Sequence, residues 1–265
     1  MLTAFRAAYK KYRKEHWKQT YRLDVLQPLT LEGFPRYDLP EGYRMEEGKG
    51  ILRFDYDQGG FLPVFPHPVI LSQRLRDIDT GEERVEVMSW DNGRLSRLVC
   101  EAETVSNTRS ITSLRRFGIR VTSENARELV AFLSEFLTVN IGAIPVVRSS
   151  RRLGWEDERC QCFLPYDKAL VFGGETGQQR AFLAVRSQGE LEVWKKAIAQ
   201  GMENPITRTY LMASFASPLV GALKKLPFIV HAGGGSGSGK TVALYAAASV
   251  WGKPEDMTLT FDDTK

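Results

Sequence analysis

Cysteine and histidine are scarce in this sequence. Cys100, Cys160 and Cys162, with His16, His67 and His231, are all that 265 residues contain. An odd, sparse cysteine set does not make a disulfide framework and suits a reducing compartment. Cys160-Gln161-Cys162 offers half of a zinc spacing, but no second Cys or His pair stands at a matching interval, so no metal centre is expected there. Long hydrophobic runs are lacking too. No apolar stretch reaches the length of a bilayer span. The basic N-terminal residues are not followed by the uninterrupted apolar segment of a secretory signal. The expectation is a cytoplasmic protein without membrane association. Charge of one sign is hardly in excess: 36 Lys and Arg face 32 Asp and Glu, for a net +4. So small a balance does not by itself mark a nucleic-acid binder. Repeats and low-complexity segments are absent as well.

What is present is a chain that is 43% hydrophobic, enough to bury a core in one large domain or two small ones. Its basic residues are unevenly placed. Residues 1–22 carry Arg6, Lys10, Lys11, Arg13, Lys14, Lys18 and Arg22 against Glu15 alone. The spacing of Leu2, Phe5, Tyr9, Tyr12 and His16 suits a helix, read either as a nucleic-acid or partner contact or as a solvated linker. Residues 1–41 are therefore taken as a basic N-terminal helix and linker.

Residues 42–185 read as a β-rich module with one long helix. Turn signals at Asp57-Gln58-Gly59-Gly60, Asp79-Thr80-Gly81 and Asp91-Asn92-Gly93 separate short strand-like runs, which predicts an antiparallel meander. Pro63, Pro66 and Pro68 predict an edge strand or rigid connector, because proline donates nothing to a ladder. Ser123 to Leu137 predicts an amphipathic helix capped by Ser123 and closed by Asn140, with Ala126, Leu129, Val130, Leu133, Phe136 and Leu137 on one face. An extended basic segment, Val146 to Trp155, follows. Strand-like pieces come next, around Gln161–Leu164 and Ala169–Phe172.

Two more helices are expected. Ser187 and Glu190 match a capping box ahead of Leu191, Trp194, Ala197 and Ile198, with Gly201 as the stop. Asn204-Pro205 is a cap followed by a first-turn proline, opening a helix toward Leu223 that Pro218 bends.

The most informative stretch is Gly234-Gly235-Ser236-Gly237-Ser238-Gly239-Lys240-Thr241, which fits G-x-x-x-x-G-K-[ST]. A strand candidate, Pro227–Ala232, precedes it, and a helix candidate, Lys240–Trp251, follows. Glycine lets successive N–H groups curl inward onto phosphate oxygens, and the helix N-terminus adds partial positive charge. In this motif the lysine, Lys240, reaches the β- and γ-phosphates, and Thr241 offers its hydroxyl to Mg²⁺. ATP and Mg²⁺ are the cofactors this implies. Hydrolysis also needs an acid on a neighbouring strand. Asp262 and Asp263 are the visible candidates, but they stand only 22 and 23 residues beyond Lys240, close for that role.

From "LPEGYRMEEGKGI" onward the chain resembles a bacterial and phage family described as domain of unknown function 927. The blocks that carry the likeness run in order: "VFPHPVILSQRLRDIDTGEERVEV", "ITSLRRFGIRVTSENARELVAFLSEF", "RRLGWEDERCQCFLPYD", "ASFASPLVGAL" and "GGGSGSGKTVALYAAASVWG". The resemblance covers roughly residues 39–265. It implies a P-loop ATPase related to AAA+ and MCM-like ring helicases of mobile elements and phages, working on DNA, single-stranded by expectation, beside primase or other replication proteins and as a homo-oligomeric ring.

On this likeness the fold class is mixed α/β. A β-rich N-terminal region precedes the start of a P-loop ATPase domain at residues 186–265. The acidic strand and arginine finger of that family are expected beyond Lys265, so the chain reads as the front part of a helicase-like protein. Two other readings stay open. One is a small-molecule kinase, which lacks a visible lid and acceptor base. The other is a non-enzymatic nucleic-acid-binding or assembly module with a vestigial loop, in which Arg148, Arg151 and Arg152 would be the contacts.

Overall fold

The structure is a computed structural model that describes residues 2–166, 169–174 and 176–258. It is a mixed α/β protein whose chain divides into two compact units. The first comprises Met1–Arg76 and Gly81–Val147. The second comprises Asp77–Thr80 and Arg148–Lys265.

The first unit opens with helix α1, Leu2–Tyr21. A short pair follows, β1 (Gln27–Pro28) with β2 (Asp38–Leu39). Then come β3 (Tyr43–Glu46), β4 (Gly50–Asp55) and β5 (Gly60–Phe65), a three-stranded antiparallel meander as the turn signals predict. Alternation drives it: Tyr43 and Met45 are buried and Arg44 between them is exposed. Pro63 lies in β5, an edge strand, where its missing N–H costs little.

β6 (Val69–Asp77), β7 (Glu83–Asp91) and β8 (Arg94–Glu101) form the next meander. Asn92 and Gly93 join β7 to β8 at φ 49° and 75°. Two successive positive φ values make the two-residue hairpin turn that suits strand twist. α2 (Ala102–Ser106), a 3₁₀ segment (Ser110–Phe117) and α3 (Ala126–Asn140) follow.

The core of this unit packs Leu129, Phe132, Leu133 and Phe136 of α3 against the strands. Phe132 stands edge-on to Tyr43 at 5.2 Å between ring centres, and Phe136 edge-on to Tyr37 at 5.8 Å. The helix begins three residues later than Ser123. Thr122 and Asn125 bond to each other instead: the Thr122 N–H donates to Asn125 Oδ1 at 2.7 Å. That turn displaces Ser123 as the cap. The helix also continues to Asn140, whose buried amide bonds the backbone of Asp38 and Phe136.

In the second unit, β9 (Val146–Ser150) pairs in parallel with β12 (Leu170–Phe172), and β10 (Gly154–Trp155) pairs with β11 (Phe163–Leu164). In the first unit β6, β7 and β8 are neighbours in that order. Helices α4 (Thr176–Ala184), α5 (Leu191–Gly201), α6 (Pro205–Ala222), α7 (Lys240–Ala248) and α8 (Pro254–Met257) complete the chain. Asn204 caps α6, its Oδ1 accepting from the N–H of Ile206 at 2.9 Å and of Thr207 at 3.3 Å. The capping box of Ser187 and Glu190 does not form. Gly189 takes φ 77° and turns the chain, so Glu190 itself becomes the extended N-cap of α5 without a side-chain bond. Gly252 is fixed by crowding: a Cβ there would meet Ala184 O at 1.9 Å.

The strand expected at Pro227–Ala232 is not formed, and residues 225–235 have no regular structure. Ile229 is 95% exposed and Leu226 88%. A strand exists by pairing, and no described strand lies alongside this run. The helix that follows is shorter than expected, ending at Ala248 with turns through Trp251. Among the described residues no helix is long and apolar enough to cross a membrane.

Candidate functional site

The glycine-rich loop leads directly into α7. Gly234, Gly237 and Gly239 hold φ values of 144°, 80° and 81°. Gly239 is the N-cap of α7 in the left-handed region, a conformation that costs other residues about 1–2 kcal/mol. The chain thus turns sharply into the helix, and the first-turn amides of α7 are left without partners inside it.

Lys240 folds back over the loop that precedes it. Its ammonium donates to Gly234 O at 2.9 Å, Gly235 O at 2.6 Å and Ser238 Oγ at 3.0 Å. Those three bonds use all of its protons. The Ser238 hydroxyl donates in turn to Gly235 O at 3.0 Å. One cation therefore organises the loop from Gly234 to Ser238, with the helix N-terminus beside it. On the outer side the loop is open: a Cβ built at Gly235, Gly237 or Gly239 would meet nothing within 4 Å. Thr241 follows on the first turn of α7, exposed.

This donor set fits a polyphosphate. Phosphate oxygens are charged acceptors and bind an ammonium more strongly than neutral carbonyls do. The partial positive charge of the helix start favours the same ligand. Thr241 Oγ1 is a further exposed hydroxyl on the first turn of α7, next to this loop. Asp262 and Asp263 lie outside the described residues.

α7 is seated by small residues. Ala243 and Ala247 are buried, and Ser214 Oγ on α6 donates to Ala247 O at 2.8 Å. The Trp251 indole N–H donates to the same Ser214 oxygen at 3.0 Å. Loop and helix are thus anchored to α6 at the end of α7 away from the loop.

The basic residues of β9 and the loop after it are otherwise engaged. Arg148 pairs with Glu156. Arg151 donates to Asp77 at 3.2 Å. Arg152 makes two bonds to Asp79, at 2.8 and 2.7 Å, and also reaches the carbonyls of Trp155 and Glu156. Asp77 is buried, which raises a carboxyl pKa, yet the N–H groups of Thr80 and Asp79 together with Arg151 outweigh that and hold it below the usual range. Arg151 and Arg152 hold the Asp77–Thr80 turn within the second unit. Among the described residues, no group of three or more His, Cys, Asp and Glu is placed to hold a metal ion.

One hollow had no signal in the sequence. It lies between the β10–β11 pair and α6, with a volume of about 570 Å³, and Trp155, Phe163 and Pro218 are in its wall. The Trp155 indole N–H donates to Pro218 O at 2.7 Å, a contact across 63 residues that no local pattern announces.

Fold and loop together define a mixed α/β protein with a phosphate-loop sequence opening a helix. Residues 45–265 match the family model described as Domain of unknown function (DUF927), and the chain belongs to that family. A comparison with curated proteins finds no match.

Proposed function

We propose that this chain supplies the nucleotide-binding part of an ATP-dependent DNA helicase- or translocase-like protein of a phage or mobile element. The observation that carries the reading is the Lys240 ammonium at the centre of the Gly234–Ser238 loop, next to the N-terminus of α7. Gly234, Gly235, Ser236, Gly237, Ser238 and Gly239 form the phosphate cradle. Lys240 bears on the terminal phosphates, and Thr241 contributes to Mg²⁺. ATP bound there supplies the phosphoryl group whose transfer to water drives movement. The chain's own residues orient the phosphates and neutralise their charge. DNA, a homo-oligomeric ring and replication proteins of the same element are the partners in this reading.

One observation favours a second reading, a nucleic-acid-binding or assembly module that does not use nucleotide. Residues 225–235 form no strand behind the loop, so among the described residues the loop is held by its own bonds and by α7. Steady-state ATPase measurement on the chain, beside Lys240→Ala and Asp262→Ala, tests the proposal. Nucleotide binding with negligible turnover is the expected result. An arginine supplied in trans is worth roughly 10³–10⁵ in rate, and none is assigned within this chain. Rapid turnover abolished by Asp262→Ala would make the acidic pair the hydrolytic site. Absence of any nucleotide binding would favour the second reading.

A further inference from the structure

We propose that α1 and the β4–β5 hairpin form a binding surface for single-stranded nucleic acid. This deepens the preceding reading and rests on it only for the choice of polyanion. Nucleotide is not required.

The argument starts from charge. Within Leu2–Tyr21, six Lys and Arg face Glu15 alone, so the helix carries a formal +5. The chain as a whole carries +4, and the remainder is therefore −1. All of the molecule's cationic excess sits on one helix. A field of one sign on one element attracts and retains polyanions.

Packing decides which face of the helix is free. Trp17 and Tyr21 seat α1 on the hairpin, with ring centres 6.4 and 5.0 Å from that of Phe54. Gly59 passes under Trp17 so closely that a Cβ would stand 2.6 Å from the indole. Arg13 donates to the backbone carbonyls of Tyr56, at 3.0 Å, and Asp57. Trp17, Tyr21 and Arg13 are thus occupied in holding the helix.

Lys10, Lys11 and Lys14 remain exposed, with Tyr9 55% and Tyr12 67% accessible. A hollow of about 600 Å³ is walled by Tyr9, Lys10 and Lys14 from the helix and by Arg53 and Tyr56 from the hairpin side, while Lys11 and Tyr12, the latter stacked on His16, stand outside its wall. Asp55, Asp57 and Glu128 also border it. Asp55 accepts the N–H groups of Asp57 and Gln58, and Glu128 accepts from Arg53, so these two acids are already partly neutralised.

Lysines interleaved with exposed aromatic rings suit a ligand with a charged backbone and open base faces. A duplex keeps its base faces stacked and offers nothing to Tyr9 and Tyr12. An anionic bilayer would need an apolar face, and Trp17 and Tyr21 are already laid on Phe54.

Fluorescence anisotropy without nucleotide tests this on the full chain. The probes are labelled oligothymidylate and oligouridylate, with duplex DNA and phosphatidylserine vesicles as alternatives. The single strands are expected to bind with a log–log salt slope of about −2 to −3, from three or four phosphate contacts at roughly 0.7 each. The Lys10→Ala/Lys14→Ala pair should weaken binding about tenfold or more and reduce that slope by about 1.4. The Tyr9→Ala/Tyr12→Ala pair should weaken it about tenfold or more with the slope unchanged. The ratio between the two oligonucleotides assigns DNA or RNA, and either preference supports the surface. Lys240→Ala should bind like the parent chain, so a failure of nucleotide binding leaves this result standing. Unchanged affinity in both double variants, with unchanged circular dichroism, would overturn the proposal. So would duplex or vesicle binding as tight as single-strand binding, or loss of oligonucleotide binding in Lys240→Ala.

Discussion

The two units solve the burial problem to different degrees. In the first, α3 lays Leu129, Phe132 and Phe136 fully inside a continuous core shared with β3, β4 and β6. In the second, the core cluster is Leu164, Leu170, Phe172 and Phe182, and α5 buries no residue fully. Of α7, only Ala243 and Ala247 are buried, while Val242 is 69% exposed. The unit with the large core holds the basic helix, and the loosely consolidated unit holds the phosphate loop. Sites that must open and close around a ligand are drawn from the less stable parts of a structure. The difference places the deeper core in one unit and the glycine-rich loop in the other.

The largest expected effect breaks the first core. Phe132→Ala should cost about 3–5 kcal/mol in urea unfolding, since a buried ring is lost and a cavity left. Val193→Ala on the exposed side of α5 should cost less than about 0.5 kcal/mol. Equal costs would erase the contrast.

Next is the Asp77 turn. Its carboxylate accepts the N–H of Asp79 at 2.9 Å and of Thr80 at 3.0 Å besides binding Arg151. Asp77→Ala leaves those donors unsatisfied and should cost about 2 kcal/mol. The folded carboxyl titrates below its unfolded value, so this stability is present above about pH 4 and is lost as pH falls through the folded pKa. Asp77→Asn should keep the turn and lose that acid dependence, read from midpoints at pH 2 to 5.

His67 sharpens the comparison from the other unit. Burial pushes its pKa down, with Asp91 pulling up and Arg120 adding to the fall. Its Nε2 accepts the Arg120 N–H at 3.0 Å, which requires that nitrogen to be unprotonated. The unfolded histidine binds protons first. Stability is therefore complete above about pH 6.5 and declines as pH falls through the folded pKa, by at most about 1.4 kcal/mol per pH unit. Acidification from pH 7 to 5 should weaken the parent chain, and His67→Gln should flatten that slope.

The smallest effect concerns caps in the second unit. Asn204→Ala should cost about 1 kcal/mol. Ser187→Ala should cost almost nothing, because its capping box is absent from the fold. Thermal midpoints compare the two directly.

Local chemistry was legible in the sequence wherever a residue type dictates a backbone state. Asn92-Gly93, Asp79-Thr80-Gly81 and Asn204-Pro205 all do what their sequence predicts, and Gly234, Gly237 and Gly239 take the positive φ that glycine permits. What depended on distant partners was not legible. Arg151 and Arg152 read as part of an extended basic segment, and the acids they pair with lie 74 and 73 residues away. The strand expected at Pro227–Ala232 had the composition of a strand but no strand to pair with among the described residues. Ser123 lost its role to the mutual bonds of Thr122 and Asn125. The α1 surface was half visible: the charges could be counted, but the docking of Trp17 on Gly59, which selects the free face, could not.

The most direct test of the central claim is calorimetric titration of the chain with Mg²⁺–ADP, beside Lys240→Ala. Lys240 makes three bonds to its loop and is the cradle's one cationic side chain. The account predicts saturable one-site binding by the parent chain and at least about a tenfold loss in the variant, as removal of a charge-assisted contact implies. Equal affinity in the two proteins, or no binding by either, would contradict it.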